Sequence, residues 1–350
     1  CDYVLFGKDG LPLAVVEAKR TSKDPNIGRK QASLYADCLE RKFGRRPVMF
    51  TTNGFETYFW DDRSGPQRKV SGIFSKDDLD KLMTRRTERK DLLSIAIDDK
   101  ITDRYYQKAA IRAVCEHTQK GIRKHLLVMA TGTGKTRTAS SLTDVLSRGK
   151  WVTNILFLAD CTALVKQAKD DFKKYLPDMT LCNLCTNKDD RDARIVFSTY
   201  PTILNAIDDT KSSDGRQLFT PAHFDLIIID ESHRSIFKKY RAIFEYFDAI
   251  LVGLTATPKT DIDRNTYDFF EMESGVPTYP YDYETAVYQD HVLVPYYNYQ
   301  VKTQFLEEGI TYNDLSDEDK ERYESDFAED GPMPEYIPPE KLNKFVFNEG

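Results

Sequence analysis

The chain has 350 residues, 40% of them apolar and 30% charged, with a net charge of −6. That balance suits a folded protein with two or three cores and excludes a collagen-like, low-complexity or disulfide-framework chain. No apolar run reaches the ~18 residues a membrane helix needs, so no membrane span is expected.

The charge is uneven. Residues 307–330 hold eleven acidic and two basic residues, net −9, so the remainder of the chain carries +3 and can present basic faces. Cysteines stand scattered at 1, 38, 115, 161, 182 and 185, which reads as reduced, cytoplasmic usage. The lone Cys182-x-x-Cys185 pair has no second pair near it, and buried thiols are the preferred reading over zinc. The chain starts Cys1-Asp2-Tyr3 without Met or a signal-peptide pattern, which suggests a fragment or a processed chain.

Two strands are predicted at Asp2–Phe6 and Leu11–Ala18, with Asp9-Gly10 as a two-residue hairpin turn. Pairing numbers then sum to 19. Asp2 falls opposite Glu17, Pro12 opposite Gly7, and Glu17 shares a face with Lys19 by the period of two. Two carboxylates and a lysine on one patch suit metal-dependent phosphodiester chemistry, where carboxylates hold Mg²⁺ and the lysine orients or deprotonates water. An exposed Asp–Glu rung is the alternative. A helix follows at Gly28–Phe43, ended by Gly44, with Gln31 and Tyr35 on one face. A second hairpin, Pro47–Thr52 and Phe55–Trp60, turns at Asn53-Gly54.

Ser75–Met83 reads as a short capped helix inside a charged connector, 73–103. Arg85, Arg86, Arg89 and Lys90 read as a solvated face in preference to a DNA site. A helix is predicted from Arg104 to Gln119, and its Gln107 is favoured as an adenine contact over a structural glutamine.

The strand Leu126–Met129, the turn Ala130-Thr131-Gly132-Thr133-Gly134 and the helix that follows Lys135-Thr136 form the setting of a phosphate loop. The glycines let backbone N–H groups turn toward a polyphosphate, the helix N-terminus adds partial positive charge, Lys135 reaches outer phosphates and Thr136 can bind Mg²⁺. Met129 stands where such loops carry their first glycine. Strands then alternate with helices: Asn154–Ala159, Thr162–Tyr175, Arg194–Ser198, Thr199–Ile207, Phe224–Ile229 and Ala249–Leu254. Fully apolar strands alternating with helices predict a parallel sheet with functional groups at the carboxyl ends. There lie Ser198-Thr199-Tyr200, Asp230-Glu231 and Thr255-Ala256-Thr257. Asp230 is suited to anchor Mg²⁺ and Glu231 to polarise water.

The order β-β-α-β-β with Asp2…Glu17-x-Lys19 resembles the PD-(D/E)xK nuclease fold, and Gln31-x-x-x-Tyr35 resembles its Q-x-x-x-Y element. The motifs from Met129 to Pro258 resemble the first RecA-like domain of superfamily 2 helicases and translocases. A nuclease fused just upstream of such a motor makes the whole chain resemble the restriction (R) subunit of type I restriction–modification enzymes. The resemblance implies an α/β protein: an N-terminally truncated nuclease core at 1–72, the connector, a RecA-like doubly wound parallel-sheet domain at 104–300, and an acidic linker at 301–350. It implies metal held by Asp2 and Glu17, catalysis with Lys19, Gln31 and Tyr35, and Mg-ATP bound and hydrolysed by residues 131–136, Asp230 and Glu231. It further implies coupling through His233, Thr255 and Thr257, and backbone contacts to DNA near Lys166 and at Ser198, Thr199 and Tyr200. Expected partners are double-stranded DNA and the modification and specificity subunits, in a bacterial or archaeal cytoplasm. Without a second RecA-like domain after residue 300, ATP hydrolysis by this chain is expected to be poor. A superfamily 2 helicase with a non-cleaving N-terminal domain and a nucleotide-gated scaffold are the alternatives.

Overall fold

The N-terminal strands form a five-stranded mixed sheet in this computed structural model, which describes residues 1–186, 193–208, 218–230, 240–258, 266–296, 310–315, 320 and 335–337. The strands are β1 (Tyr3–Phe6), β2 (Pro12–Ala18), β3 (Val48–Thr52), β4 (Thr57–Trp60) and β5 (Arg68–Val70), hydrogen-bonded in that order. Only β2 and β3 run parallel, and helix α1 (Arg29–Phe43) makes the crossover between them. Gly44 ends α1 in the left-handed region at φ 74°, as a residue without Cβ can. Ala32 and Ala36 of α1 pack on Val15 and Met49, while Phe50, Phe59 and Phe74 make a ring cluster on the other face. Helix α2 (Lys76–Glu88), capped by Ser75, covers that second face with Leu79 and Met83.

The first hairpin corrects the sequence reading while preserving its outcome. Gly7 N–H bonds Leu11 O at 2.9 Å, Gly10 takes φ 74°, and Phe6 rather than Gly7 faces Pro12. The turn is therefore one residue longer than expected. A bulge next to Leu5 removes the offset, so Tyr3 pairs with Val16 and the sum of 19 returns where it matters.

The second sheet has seven parallel strands: β6 (Lys124–Met129), β7 (Ile155–Ala159), β8 (Leu181–Asn183), β9 (Ile195–Thr199), β10 (Leu226–Ile229), β11 (Ile250–Thr255) and β12 (Tyr279–Tyr281). Their spatial order is β12-β6-β11-β10-β7-β9-β8. Helices α3 (Tyr105–Gln119), α4 (Lys135–Arg148) and α5 (Thr162–Tyr175) cover one face. Helices α6 (Tyr200–Asp208) and α7 (Arg241–Tyr246) pack on the other. Strand β12, which has no counterpart among the expected elements, adds an edge strand directly beside β6.

The connector also differs from its expected role. Arg85 is 8% exposed and pairs with Asp225, whose Oδ2 also accepts from the amides of Thr153 and Asn154 at 2.8 and 3.0 Å. Arg86 grips Asp61 with both ends of its fork, and Arg89 lies 4.4 Å over the Trp151 ring. Arg85 and Arg89 thus join the two sheets, Arg86 is fixed within the N-terminal module, and none of the three is a solvated face. Arg68 of β5 adds a bidentate pair with Asp248 at 2.7 and 2.6 Å, and Arg123 donates to the same carboxylate at 2.9 Å.

Contacts divide the chain into a unit of residues Cys1–Leu293, which holds both sheets, and a unit of Val294–Gly350. In the second, β13 (Ile310–Thr311) pairs antiparallel with β14 (Tyr336–Ile337). Most of the acidic run at 307–330 lies outside the described residues. Among the described residues, no helix is long and apolar enough to cross a membrane.

Candidate functional site

Strand β2 presents the first constellation. Glu17 is 3% exposed, and its Oε1 accepts from Lys19 Nζ at 2.7 Å. Lys19 Nζ also donates to Gln31 Oε1 at 3.1 Å, so α1 steadies the lysine from the side. Asp2 stands just before β1, with its N–H on Val16 O at 3.2 Å, and its Oδ2 accepts from the amide of Ala18, the neighbour of Glu17, at 2.7 Å. The second Glu17 oxygen, Oε2, is buried with no hydrogen-bond partner, and the amine of Cys1 lies 3.9 Å from it. A buried carboxylate oxygen left unmatched is costly unless a cation completes it. The donor set is thus two hard carboxylates beside a lysine, which fits a divalent ion of the Mg²⁺ type. Gly28 is required next to them, because a Cβ there would stand 2.9 Å from Glu17 Cγ and 3.1 Å from Lys19 Cε. Tyr35 is placed otherwise. It packs half-buried against the Ala32–Ala36–Met49 cluster, one turn along α1 from Gln31. Among the described residues, no group of three or more His, Cys, Asp or Glu is set to hold a metal.

The second constellation follows β6. Gly132 and Gly134 take φ of 87° and 88°, the left-handed values that let successive amides face one side. A Cβ on Gly134 would come 2.5 Å from Gln107 Nε2, so only glycine fits that close approach. Thr133 turns inward, fully buried, with Oγ1 donating to Ala130 O at 2.6 Å. Thr131 is exposed at the rim, and Thr136 lies in the first turn of α4, half-buried. Lys135 opens that helix with its Nζ buried at the loop. A glycine-shaped turn feeding a helix N-terminus, with an ammonium inside it, is chemistry suited to a polyphosphate.

Gln107 is held by its surroundings. It is 1% exposed, donates to Thr133 O at 2.8 Å and accepts from Thr102 Oγ1. Tyr106 supports the same carbonyl with its hydroxyl at 3.0 Å and stacks on Tyr281 of β12 at 3.9 Å and 6°. Tyr281 in turn donates to Asp290 at 2.7 Å, and its backbone carbonyl accepts from Ala130 N at 2.9 Å. This brace beneath the loop was missed from sequence. The only signal for it was the aromatic pair at the start of α3, since its other half, Tyr281, lies far along the chain.

The remaining candidates fall at the carboxyl ends of strands. Asp230 follows β10, with its N–H on Leu158 O at 2.9 Å, and Thr255 ends β11, fully buried. Thr257 N–H donates to Thr255 Oγ1 at 3.2 Å. Strand β11 lies between β6 and β10, so the loop, Thr255 and Asp230 stand on three neighbouring strands. Glu231 and His233 lie outside the described residues. Three of the expected DNA contacts have buried side chains. Ser198, Thr199 and Tyr200 are 0%, 7% and 1% exposed. Ser198 bonds Thr199 O, and Tyr200 stacks on Tyr240, its hydroxyl pushed well above the usual pKa by burial and by Asp160 and Asp230. Lys166 alone of the four is exposed, on α5.

Fold and sites define the class: a parallel-sheet α/β module carrying a phosphate-type loop, joined to a smaller mixed-sheet module carrying a carboxylate–lysine patch. Residues 1–68 match the family model for the type I restriction enzyme R protein N terminus, and residues 100–260 match that for the type III restriction enzyme res subunit. The chain is 34% identical over 313 residues to the type I restriction enzyme EcoAI endonuclease subunit of Escherichia coli, covering 84% of this chain and 37% of that protein. It is 28% identical over 385 residues to the EcoKI endonuclease subunit of E. coli K12, covering 88% and 32%. A solved fragment described as an HsdR subunit of a type I restriction enzyme from Vibrio vulnificus YJ016 is 31% identical, with a TM-score of 0.40, covering 80% of this chain and 49% of that one. The chain belongs to the R-subunit family of type I restriction enzymes. It spans about a third of the length of the curated relatives it matches.

Proposed function

We propose that this chain carries the nuclease centre and the first half of the ATP-driven DNA motor of a type I restriction enzyme. The observation that carries the reading is Glu17. One of its oxygens is fixed on Lys19, the other is buried without a hydrogen bond, and Asp2 holds the amide of the adjacent Ala18.

In this reading the mixed sheet is a PD-(D/E)xK nuclease core, and Asp2 and Glu17 hold Mg²⁺, which supplies positive charge to the scissile phosphate. Lys19 orients the attacking water or takes its proton, and Gln31 keeps the ammonium at the carboxylates. Tyr35 acts through packing that sets the pitch of α1 and hence the place of Gln31. The parallel sheet is a RecA-like domain. Gly132, Gly134 and the amides of Thr131 and Thr133 cradle the phosphates of ATP, and Lys135 neutralises their charge. Thr136 and Asp230 hold the nucleotide's Mg²⁺, and Glu231 polarises the water. Thr255 and Thr257, with His233, pass the nucleotide state to DNA. Contact of Gln107 with adenine requires it to exchange one of its present bonds, so the glutamine would release Thr133 as nucleotide arrives. Lys166 contacts the backbone of double-stranded DNA. Sequence recognition and methylation belong to partner specificity and modification subunits.

The test uses the complete assembly. Glu17→Ala should abolish DNA cleavage and leave ATPase activity intact, while Lys135→Ala should remove both. Unchanged cutting by the Glu17 variant would overturn the nuclease assignment. Unchanged restriction by the Lys135 variant would overturn the motor.

A further inference from the structure

We propose that the recess between the two sheets is a binding site for a small phosphate-bearing anion, distinct from the phosphate loop. A cavity of about 330 Å³ lies where β5 and α2 meet Trp151 and the amino ends of β6, β10 and β11. The phosphate loop is at the other end of β6, which is six residues long, so roughly 20 Å separates the two places.

Charge argues for an anion. Arg68, Arg85, Arg89 and Arg123 all line the cavity, and the carboxylates facing them are Asp225 and Asp248. Asp78 also lines it but is matched by Lys81 at 2.9 Å. Asp248 is shared by Arg68 and Arg123. Asp225 takes Arg85 and is already loaded with two backbone amides. Arg89 has the Trp151 face beneath it, and its Nε is buried with no hydrogen-bond partner. Four guanidiniums therefore face two carboxylates in a partly enclosed space, where like charges repel more strongly than in water. Burial and the neighbouring Arg85 pull the Arg89 pKa below its usual value, and burial brings Arg123 down to about 10. Arg123 nonetheless keeps 36% of its side-chain surface accessible, as a group lining a solvent-connected recess does.

Shape narrows the ligand. Guanidinium forks match phosphate oxygens two at a time, and a volume near 330 Å³ is at the small end for ligand sites. It suits pyrophosphate or a phosphomonoester with a modest organic body, and it is too small for a duplex. Phe59, Pro66, Ile122 and Trp151 give that body an apolar wall. A bound anion would tie β5 and α2 to the roots of β10 and β11. This site stands independently of whether the phosphate loop hydrolyses ATP.

The experiment uses this chain with Lys135→Ala, which removes phosphate binding at the loop. Calorimetric titration with pyrophosphate should give one site, and adding Arg89→Gln with Arg123→Gln should weaken it at least tenfold. The chain has two tryptophans. With Trp60→Phe, the emission of Trp151 should move on adding pyrophosphate, a readout that does not depend on the arginine variants folding. Orthophosphate and AMP arms separate the sources: tighter AMP indicates a phosphomonoester, and tighter pyrophosphate an inorganic ligand. No heat and no Trp151 response in the Lys135→Ala chain would overturn the proposal. So would undiminished binding in a folded arginine variant, or sulfate binding as tightly as pyrophosphate.

Discussion

Gly134 shows how a single position sets the nucleotide chemistry. Its φ of 88° disfavours every L side chain, and Gln107 Nε2 leaves no room for a Cβ. Gly134→Ala should lower ATP affinity at least tenfold in a fluorescent-nucleotide titration, with little change in the fold by circular dichroism. Affinity within a factor of two of the parent would mean that the loop does not need this shape. His125, on the strand that delivers the loop, is buried and near His117, and burial first and that neighbour second push its pKa down to about 3. The unfolded chain takes up this proton near pH 6.5 and the folded chain refuses it. Stability contributed by His125 is therefore intact above about pH 6.5. It falls by roughly 1.4 kcal/mol per pH unit as pH drops toward 3. Urea unfolding of His125→Gln should show a shallower acid slope across that window, and superimposable slopes would exclude the effect.

At the scale of elements, α2 is the joint between the sheets. Arg85→Ala would leave Asp225 buried with only its two amide donors, and removing one partner of a buried pair typically costs about 3–5 kcal/mol. The loss should sit at the low end of that range, because Thr153 and Asn154 still serve the carboxylate. Chemical denaturation measures it, and a loss under about 0.5 kcal/mol would show that the pair is dispensable. The misreading of this helix has a physical cause. A run of arginines on a helix looks the same whether water or a carboxylate 140 residues away answers it, and Asp225 carries no local mark of that role. Strand β12 escaped for the same reason. Three residues, Tyr279–Tyr281, with a proline at the centre, hold too little pattern to announce a strand, and its pairing partner β6 lies far back in the chain. By contrast α5 was legible over its full length, Thr162–Tyr175, because its apolar stripe is local.

For the whole molecule, the rivets Arg68–Asp248, Arg85–Asp225 and Ser71–Tyr246 O put both sheets into one packed body, Cys1–Leu293. The mixed sheet is fastened at the amino ends of β10 and β11, whose carboxyl ends bear Asp230 and Thr255. Calorimetry should show the two sheets unfolding in a single transition, and Arg68→Ala with Arg85→Ala should split it in two. Two transitions in the parent chain would refute a rigid connection. The Asp248 carboxyl is a sensor of the same joint. Burial opposes its ionisation, yet Arg123 and Arg68 outweigh that and hold it at about 2. The stability it confers is complete above its unfolded pKa of 3.8 and is lost as pH falls through about 2.

What the sequence determined by itself is whatever depends on neighbours along the chain. The phosphate loop needs two glycines, a lysine and a helix start within one turn, and all are contiguous. The Tyr3–Val16 register also followed from local pattern, because the bulge next to Leu5 offsets the longer turn. Tertiary structure alone decided what answers each charge and each face. It buried Ser198 and Tyr200, and it turned the arginines of α2 into an interface. It also placed Tyr281 beneath the phosphate loop. Burial and pairing across long separations are properties of the packed whole, and single-chain periodicity carries no record of which distant surface arrives.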